Sequence, residues 1–291
     1  MKLDARPLTP TLGYELRGLD LTKPLDPAVR QSLHDLWLEA AVLVIRGQRL
    51  TPAEFEAFSR QLGEPMEQQV KKLTVSGHPL VGTLSNRDLP MTAGKVHVRG
   101  ENFHTDHSNF EAPPKATMLH AVTLPRSGGD TQFVDVRRAF DELPEVTRAR
   151  ILPLFSLHIF ESSRSPRKMV ALSAAEQAAV PTGVAQPLVI RHGETGRAAL
   201  YLNTGRMEGI VGMEDEEAYA LINDLYAHAT QQRYEYRHRW QDGDVVVWDN
   251  RSVMHQANAD VDPADNRFLY RIMLKGAPLQ AFASQQEGAM A

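Results

Sequence analysis

The 291-residue chain contains no cysteine. Disulfides, thiolate nucleophiles and cysteine-held zinc or iron–sulfur centres are excluded together, so any metal must rest on histidine and carboxylate ligands. Long apolar runs are also missing. The longest near the N-terminus, AAVLVI from Ala40 to Ile45, is far short of the roughly 20 residues that a membrane-spanning helix needs. The opening MKLDARPLTP lacks the apolar stretch of a signal peptide. No membrane partner and a cytoplasmic location are therefore expected. An excess of basic charge is absent too: the formal net charge of −4 argues against nucleic acid as a partner. What is present, 42% apolar and 23% charged residues, suffices for a sizeable core. No repeat or low-complexity linker divides the chain, and a single domain over 1–291 is expected.

Three helices are legible. Val29, Leu33, Leu36 and Trp37 recur at helical spacing behind Asp26 as cap and Pro27 in the first turn. Thr51, Pro52 and Glu54 form the opening of a second helix with a capping box. A third is expected over Glu214–Gln232, acidic at its start as the helix dipole favours. The remainder reads as short strands separated by glycines: ATMLHAVTL, TQFVDV, QPLVIRH, AALYLN, RYEYRHRW, DVVVWD and RFLYRIML. This pattern predicts a mainly β protein with peripheral helices and a jelly-roll core. Glu161–Gln186 is too long and irregular for a turn, and segments of that kind often form lids. Lid-type loops are expected near 65–103 and 161–186.

The stretch ENFHTDHSNF places His104, Asp106 and His107 within four residues. A non-haem Fe(II) site needs two imidazoles and a carboxylate on one face of the ion, with the other positions open. His104 and Asp106, at i and i+2, would share a side on an extended segment. His107 would face away. With 11 histidines in the chain, this pair alone is weak evidence. His255 is a candidate third ligand, just past the apolar strand Val245–Trp248; a loop histidine is the plain alternative. Arg267 and Arg271 in NRFLYRIML lie four apart, on one face of a strand. Two guanidinium groups facing an apolar interior each need an anion, and arginine suits a carboxylate best. A solvent-facing edge strand would also accommodate them.

Taken in order, H-x-D, G-G-D-T, W-D-N-R-x-x-x-H and R-x-x-x-R resemble the TauD/TfdA family of Fe(II)- and 2-oxoglutarate-dependent dioxygenases. LGYELRGLDL and AVLVIRGQRLTPAEFEAFSRQLGEP resemble that family's N-terminal segment, so the likeness runs from about Leu12 to about Lys275. It implies a double-stranded β-helix. It also implies iron on His104, Asp106 and His255, and 2-oxoglutarate on Thr131 and Arg267, with O2 as the second co-substrate. Arg271 would grip the anionic head group of the prime substrate, with His107, Asn102 and Phe103 beside it. Arg206 falls near a pocket position of the family and would add a second positive charge, for a larger or doubly anionic substrate.

The expected reaction is hydroxylation of a small anionic carboxylate or sulfonate. An aryloxyalkanoate-type acid with ether cleavage is the first choice. Taurine, alkylsulfonate or alkyl sulfate oxidation and hydroxylation of an amino-acid derivative are the alternatives. The taurine pocket of the family carries a histidine and a tyrosine where this chain has Gln68, Gln69, Val70, Lys71 and Lys72, which weakens that choice. Other classes remain: a non-catalytic cupin-like metal binder, a silent jelly-roll binding module, or a halogenase, which Asp106 disfavours. By analogy with relatives a homodimer or homotetramer is expected.

Overall fold

The computed structural model of the protein describes residues 3–92, 95–165 and 172–282. An eight-stranded sheet runs in the order Asp4–Pro7, Tyr14–Arg17, Val42–Ile45, Val245–Asp249, Ala116–Thr123, Phe268–Leu274, His78–Ser85 and Thr74–Val75. A three-stranded antiparallel sheet, Glu235–His238, Thr131–Asp135 and Val253–Ala257, faces it. Two further three-stranded sheets complete the described β structure.

The strand Val245–Asp249 shows why the layers form. All five residues are buried, and β-branched runs of this kind suit a strand covered on both sides. Val245 and Val247 pack with Leu33, Trp37, Phe55 and Phe58 of the helices Pro27–Ala40 and Pro52–Leu62. Val246 and Trp248 point the other way, into a cluster with Val44, Leu119 and Leu269 and with Phe133, Tyr236 and Val253 of the facing sheet. That inner cluster holds the two walls of a double-stranded β-helix together, as expected.

The helix starts follow their caps. Asp26 Oδ1 accepts from Ala28 N at 2.8 Å, and Thr51 and Glu54 close their box reciprocally. The third helix spans Asp215–Ala229, and Gln232 instead begins a 3-10 turn to Tyr234. Several strands lay outside the sequence reading: His78–Ser85, Phe155–His158, Met207–Ile210 and Val253–Ala257. His78–Ser85 contains Pro79 and Gly82, poor strand formers, and its pairing partner lies about two hundred residues on, in the register Arg271↔Gly82. Segment 65–103 therefore includes an edge of the large sheet. Segment 161–186 contains the helix Ala174–Ala178; part of that expected lid, 166–171, lies outside the described residues. Among the described residues no helix is long and apolar enough to cross a membrane.

Candidate active site

A cavity of about 250 Å³ opens at the end of the inner core. It brings together all ten candidate residues: Asn102, Phe103, His104, Asp106, His107, Thr131, Arg206, His255, Arg267 and Arg271 each contribute to its wall.

Distant parts of the chain meet there by backbone pairing. His104 N donates to His255 O at 3.0 Å and His255 N returns the bond to His104 O at 2.9 Å. Ala257 N donates to Gly100 O at 2.7 Å, extending the same contact. His255 is therefore not on a loop beyond Val245–Asp249. After a tight turn, Ser252 N to Asp249 O at 3.0 Å, the chain crosses to the facing sheet, and His255 sits within its strand Val253–Ala257. Conversely, His104–Asp106 is not in a strand: an isolated bridge at His104 is followed by a turn in which His107 adopts φ 46°.

His104, Asp106 and His255 offer ligand atoms that all lie within 4.8 Å of one another. His104 Nε2 stands 3.7 Å from Asp106 Oδ1, and His255 Nε2 stands 3.8 Å from Asp106 Oδ2. His104 Nδ1 lies 2.8 Å from Asn102 O. A carbonyl can only accept, so that nitrogen donates, and Nε2 is the nitrogen turned toward Asp106. Burial, reinforced by His104 nearby, pushes the His255 imidazole down to about 3, leaving it neutral. Burial alone would raise the Asp106 carboxyl, but His255 and His104 hold it well below the usual carboxylate range. Two imidazoles and one carboxylate are the donor set that suits a ferrous ion with open positions.

Asp106 is itself held by a relay from the W-D-N segment. Trp248 Nε1 donates to Asn250 Oδ1 at 2.9 Å, Asn250 Nδ2 to Thr117 Oγ1 at 3.0 Å, and Thr117 Oγ1 to Asp106 Oδ2 at 2.6 Å. Such outer hydrogen bonds fix a ligand's orientation. Thr117 and Asn250 escaped the sequence reading; only the adjacency of Asn250 to Trp248 hinted at it.

On another side of the cavity Thr131 Oγ1 accepts from Trp240 Nε1 at 3.1 Å. Its own hydroxyl hydrogen is thereby left for a ligand. Arg267 precedes its strand rather than lying within it. Its Nε donates to Gly129 O at 2.9 Å, and its guanidinium lies 5.9 Å from the Trp240 ring centre. Burial pushes it down to about 10, still charged at neutral pH. Arg271 makes one side-chain hydrogen bond, from Nη2 to Gln68 Oε1 at 2.9 Å, and its buried Nε has no partner. Among the described residues neither arginine forms an ion pair with a carboxylate. Arg99, also on the cavity wall, differs: it is paired with Asp88. Arg206 is 9% exposed and rests its guanidinium 5.0 Å from the Phe160 ring centre.

The chain matches the family described as taurine catabolism dioxygenase TauD, TfdA family over residues 4–273. It is 33% identical to the alpha-ketoglutarate-dependent 2,4-dichlorophenoxyacetate dioxygenase of Cupriavidus pinatubonensis, over 88% of this chain and 92% of that protein. Identity to the alkylsulfatase of Acinetobacter baylyi is 32%, over 94% and 86%. The crystal structure of AAD-2 in complex with Mn(II) and N-oxalylglycine superimposes with a TM-score of 0.80 at 28% identity, covering 96% of this chain and all of that one (100%).

Proposed function

This chain belongs to the TauD/TfdA family and is an Fe(II)- and 2-oxoglutarate-dependent dioxygenase; we propose that His104, Asp106 and His255 hold its iron and that a small organic anion is its prime substrate. The mutual approach of those three ligand atoms carries the first part, together with the neutral state of His255. The unpaired Arg271 carries the second.

When bound, Fe(II) with 2-oxoglutarate and O2 hydroxylates a C–H bond while 2-oxoglutarate leaves as succinate and CO2. The residues around that chemistry position and shield it. Arg267 pairs with the distal carboxylate of 2-oxoglutarate, and the Thr131 hydroxyl donates to it. Arg271 takes the substrate's acidic group, while Asn102, Phe103, His107 and Arg206 shape the rest of the cavity. Phe103 is fixed by its backbone N–H, which donates to Tyr226 Oη at 3.1 Å.

An aryloxyalkanoate-type acid is our first substrate class, since the 2,4-dichlorophenoxyacetate dioxygenase is among the relatives. Hydroxylation beside an ether oxygen gives a product that fragments, so the net result is ether cleavage. Alkyl sulfates form the second class, on the strength of the alkylsulfatase relative. We also take 1–291 as one catalytic unit, with 65–103 and 161–186 arranged about the cavity. These two segments touch where Lys71 N donates to Glu176 Oε1 at 3.0 Å.

Anaerobic Fe(II) with 2-oxoglutarate should give the wild type a weak visible charge-transfer band that the His104→Ala/Asp106→Ala double variant lacks. No band in the wild type, or its survival in the variant, would sink the site assignment. Succinate formation across aryloxyalkanoates, alkyl sulfates and sulfonates then ranks the substrate classes.

A further inference from the structure

Arg206 stands in the turn ahead of the strand Met207–Ile210, on a different sheet from Arg271. Its Nη1 donates to Asn109 Oδ1 and, at 3.5 Å, to Phe160 O. Both partners are neutral, and among the described residues Arg206 has no ion pair with a carboxylate. A buried guanidinium without a counter-charge is costly, and persists where an anion is to be met. Asn109 is fully buried and holds the guanidinium from behind the cavity wall, while Arg206 itself lines the cavity.

Arg271, on the wall of the same cavity, meets the same description. Among the described residues only a neutral amide, that of Gln68, touches its terminal nitrogens, and its Nε is unpartnered. His107, 8% exposed, lines the same cavity, its Nδ1 also without a partner. If Arg267 is assigned to 2-oxoglutarate, two cationic groups in one cavity still lack, among the described residues, a carboxylate in ion-pair contact.

We propose that the prime substrate is a dianion held in the cavity, one acidic group on Arg271 and the second on Arg206, whose guanidinium Asn109 positions. The reading rests on the active-site assignment above and narrows its substrate classes to members that carry a second acidic group. Both grips are charge-assisted hydrogen bonds, which guanidinium forms with carboxylate, sulfonate or phosphate heads alike.

The test is calorimetric titration of the protein loaded with Mn(II) and N-oxalylglycine, which fills the metal and co-substrate positions. Probes are α,ω-dicarboxylates from glutarate to sebacate, each against the monocarboxylate of equal length. At least one dicarboxylate should bind about tenfold or more tightly than its monocarboxylate, a margin worth roughly 1.4 kcal/mol. Arg206→Gln should abolish that margin, and Arg206→Lys should retain part of it. If Arg206→Gln does not fold, Asn109→Ala is read in its place and should shrink the margin severalfold. No margin at any length, or a margin that survives in Arg206→Gln or its substitute, overturns the proposal while leaving the dioxygenase site standing. Failure of N-oxalylglycine to bind the Mn(II)-loaded wild type would instead remove the active-site assignment, and this inference with it.

Discussion

Gln68 occupies the space that a side chain at Gly82 would need: a Cβ there would stand 2.6 Å from Gln68 Oε1, the oxygen that accepts from Arg271 Nη2 at 2.9 Å. The other end of the amide donates to Leu80 O at 3.1 Å. Gln68 thus aims the guanidinium without neutralising it. Gln68→Glu would set a carboxylate against Arg271 and compete with the substrate's own anion. We expect KM for the best substrate to rise about tenfold or more, equivalent to 1.4 kcal/mol or above, with KM for 2-oxoglutarate little changed. Gly82→Ala, which displaces the amide, should act in the same direction. Steady-state succinate formation measures both, and an unchanged substrate KM in Gln68→Glu would refute the orienting role.

Gly100 has a comparable relation to the metal ligands. It adopts φ +82°, and a Cβ there would approach His104 Cε1 to 2.7 Å. Its carbonyl also accepts from Ala257 N, so the backbone cannot easily move away. Gly100→Ala combines backbone strain with a push on the His104 ring. Loss of ligand orientation commonly weakens metal binding by roughly 10–100-fold. Anaerobic titration with Mn(II) should show a decrease of that size. Equal affinity would mean that His104 is free to adapt.

Trp240 tests the co-substrate side. Its Nε1 is the donor that fixes the Thr131 hydroxyl at 3.1 Å, and its ring lies beside Arg267. Trp240→Phe keeps an aromatic face and removes the donor. A hydrogen bond of this kind is worth about 0.5–1.5 kcal/mol, so KM for 2-oxoglutarate should rise severalfold, with a much smaller effect on KM for the prime substrate. Equal effects on both would indicate general damage.

The parts of this site that could be read from sequence are those fixed by local chemistry. Helix starts declared themselves through Asp26, Thr51 and Glu54, and the central strand through the run Val245–Trp248. Family motifs then singled out residues that periodicity left ambiguous, such as His255. What escaped depends on long-range pairing. The bridge between His104 and His255 replaces the strand geometry expected for H-x-D, and no local pattern announces it. Gln68 stood out only as a departure from the family's taurine pocket; its hold on Arg271 beside Gly82 comes from the fold. Thr117 sits in an apolar strand, and only the fold sets its hydroxyl against Asp106.

The other buried carboxylate of the W-D-N segment predicts a pH effect away from the cavity. Asp249 is enclosed with His192, whose Nε2 lies 2.7 Å from Oδ2, and with Arg251, whose Nε donates to Oδ1 at 2.9 Å. Burial alone would raise its carboxyl, but Arg251 and His192 hold it far below the ordinary range. Unfolded, the same group titrates near about 3.9. Its contribution to stability is therefore fully present above that pH and is lost as pH falls toward the depressed native value. Asp249→Asn leaves part of a buried ion pair uncompensated, which costs roughly 3 kcal/mol. Urea unfolding at neutral pH should show that loss. As the solution is acidified below about 4, the wild type sheds the same contribution and the variant cannot, so the gap between them must close. A gap that stays constant across that range would show that Asp249 acts through packing rather than through its charge.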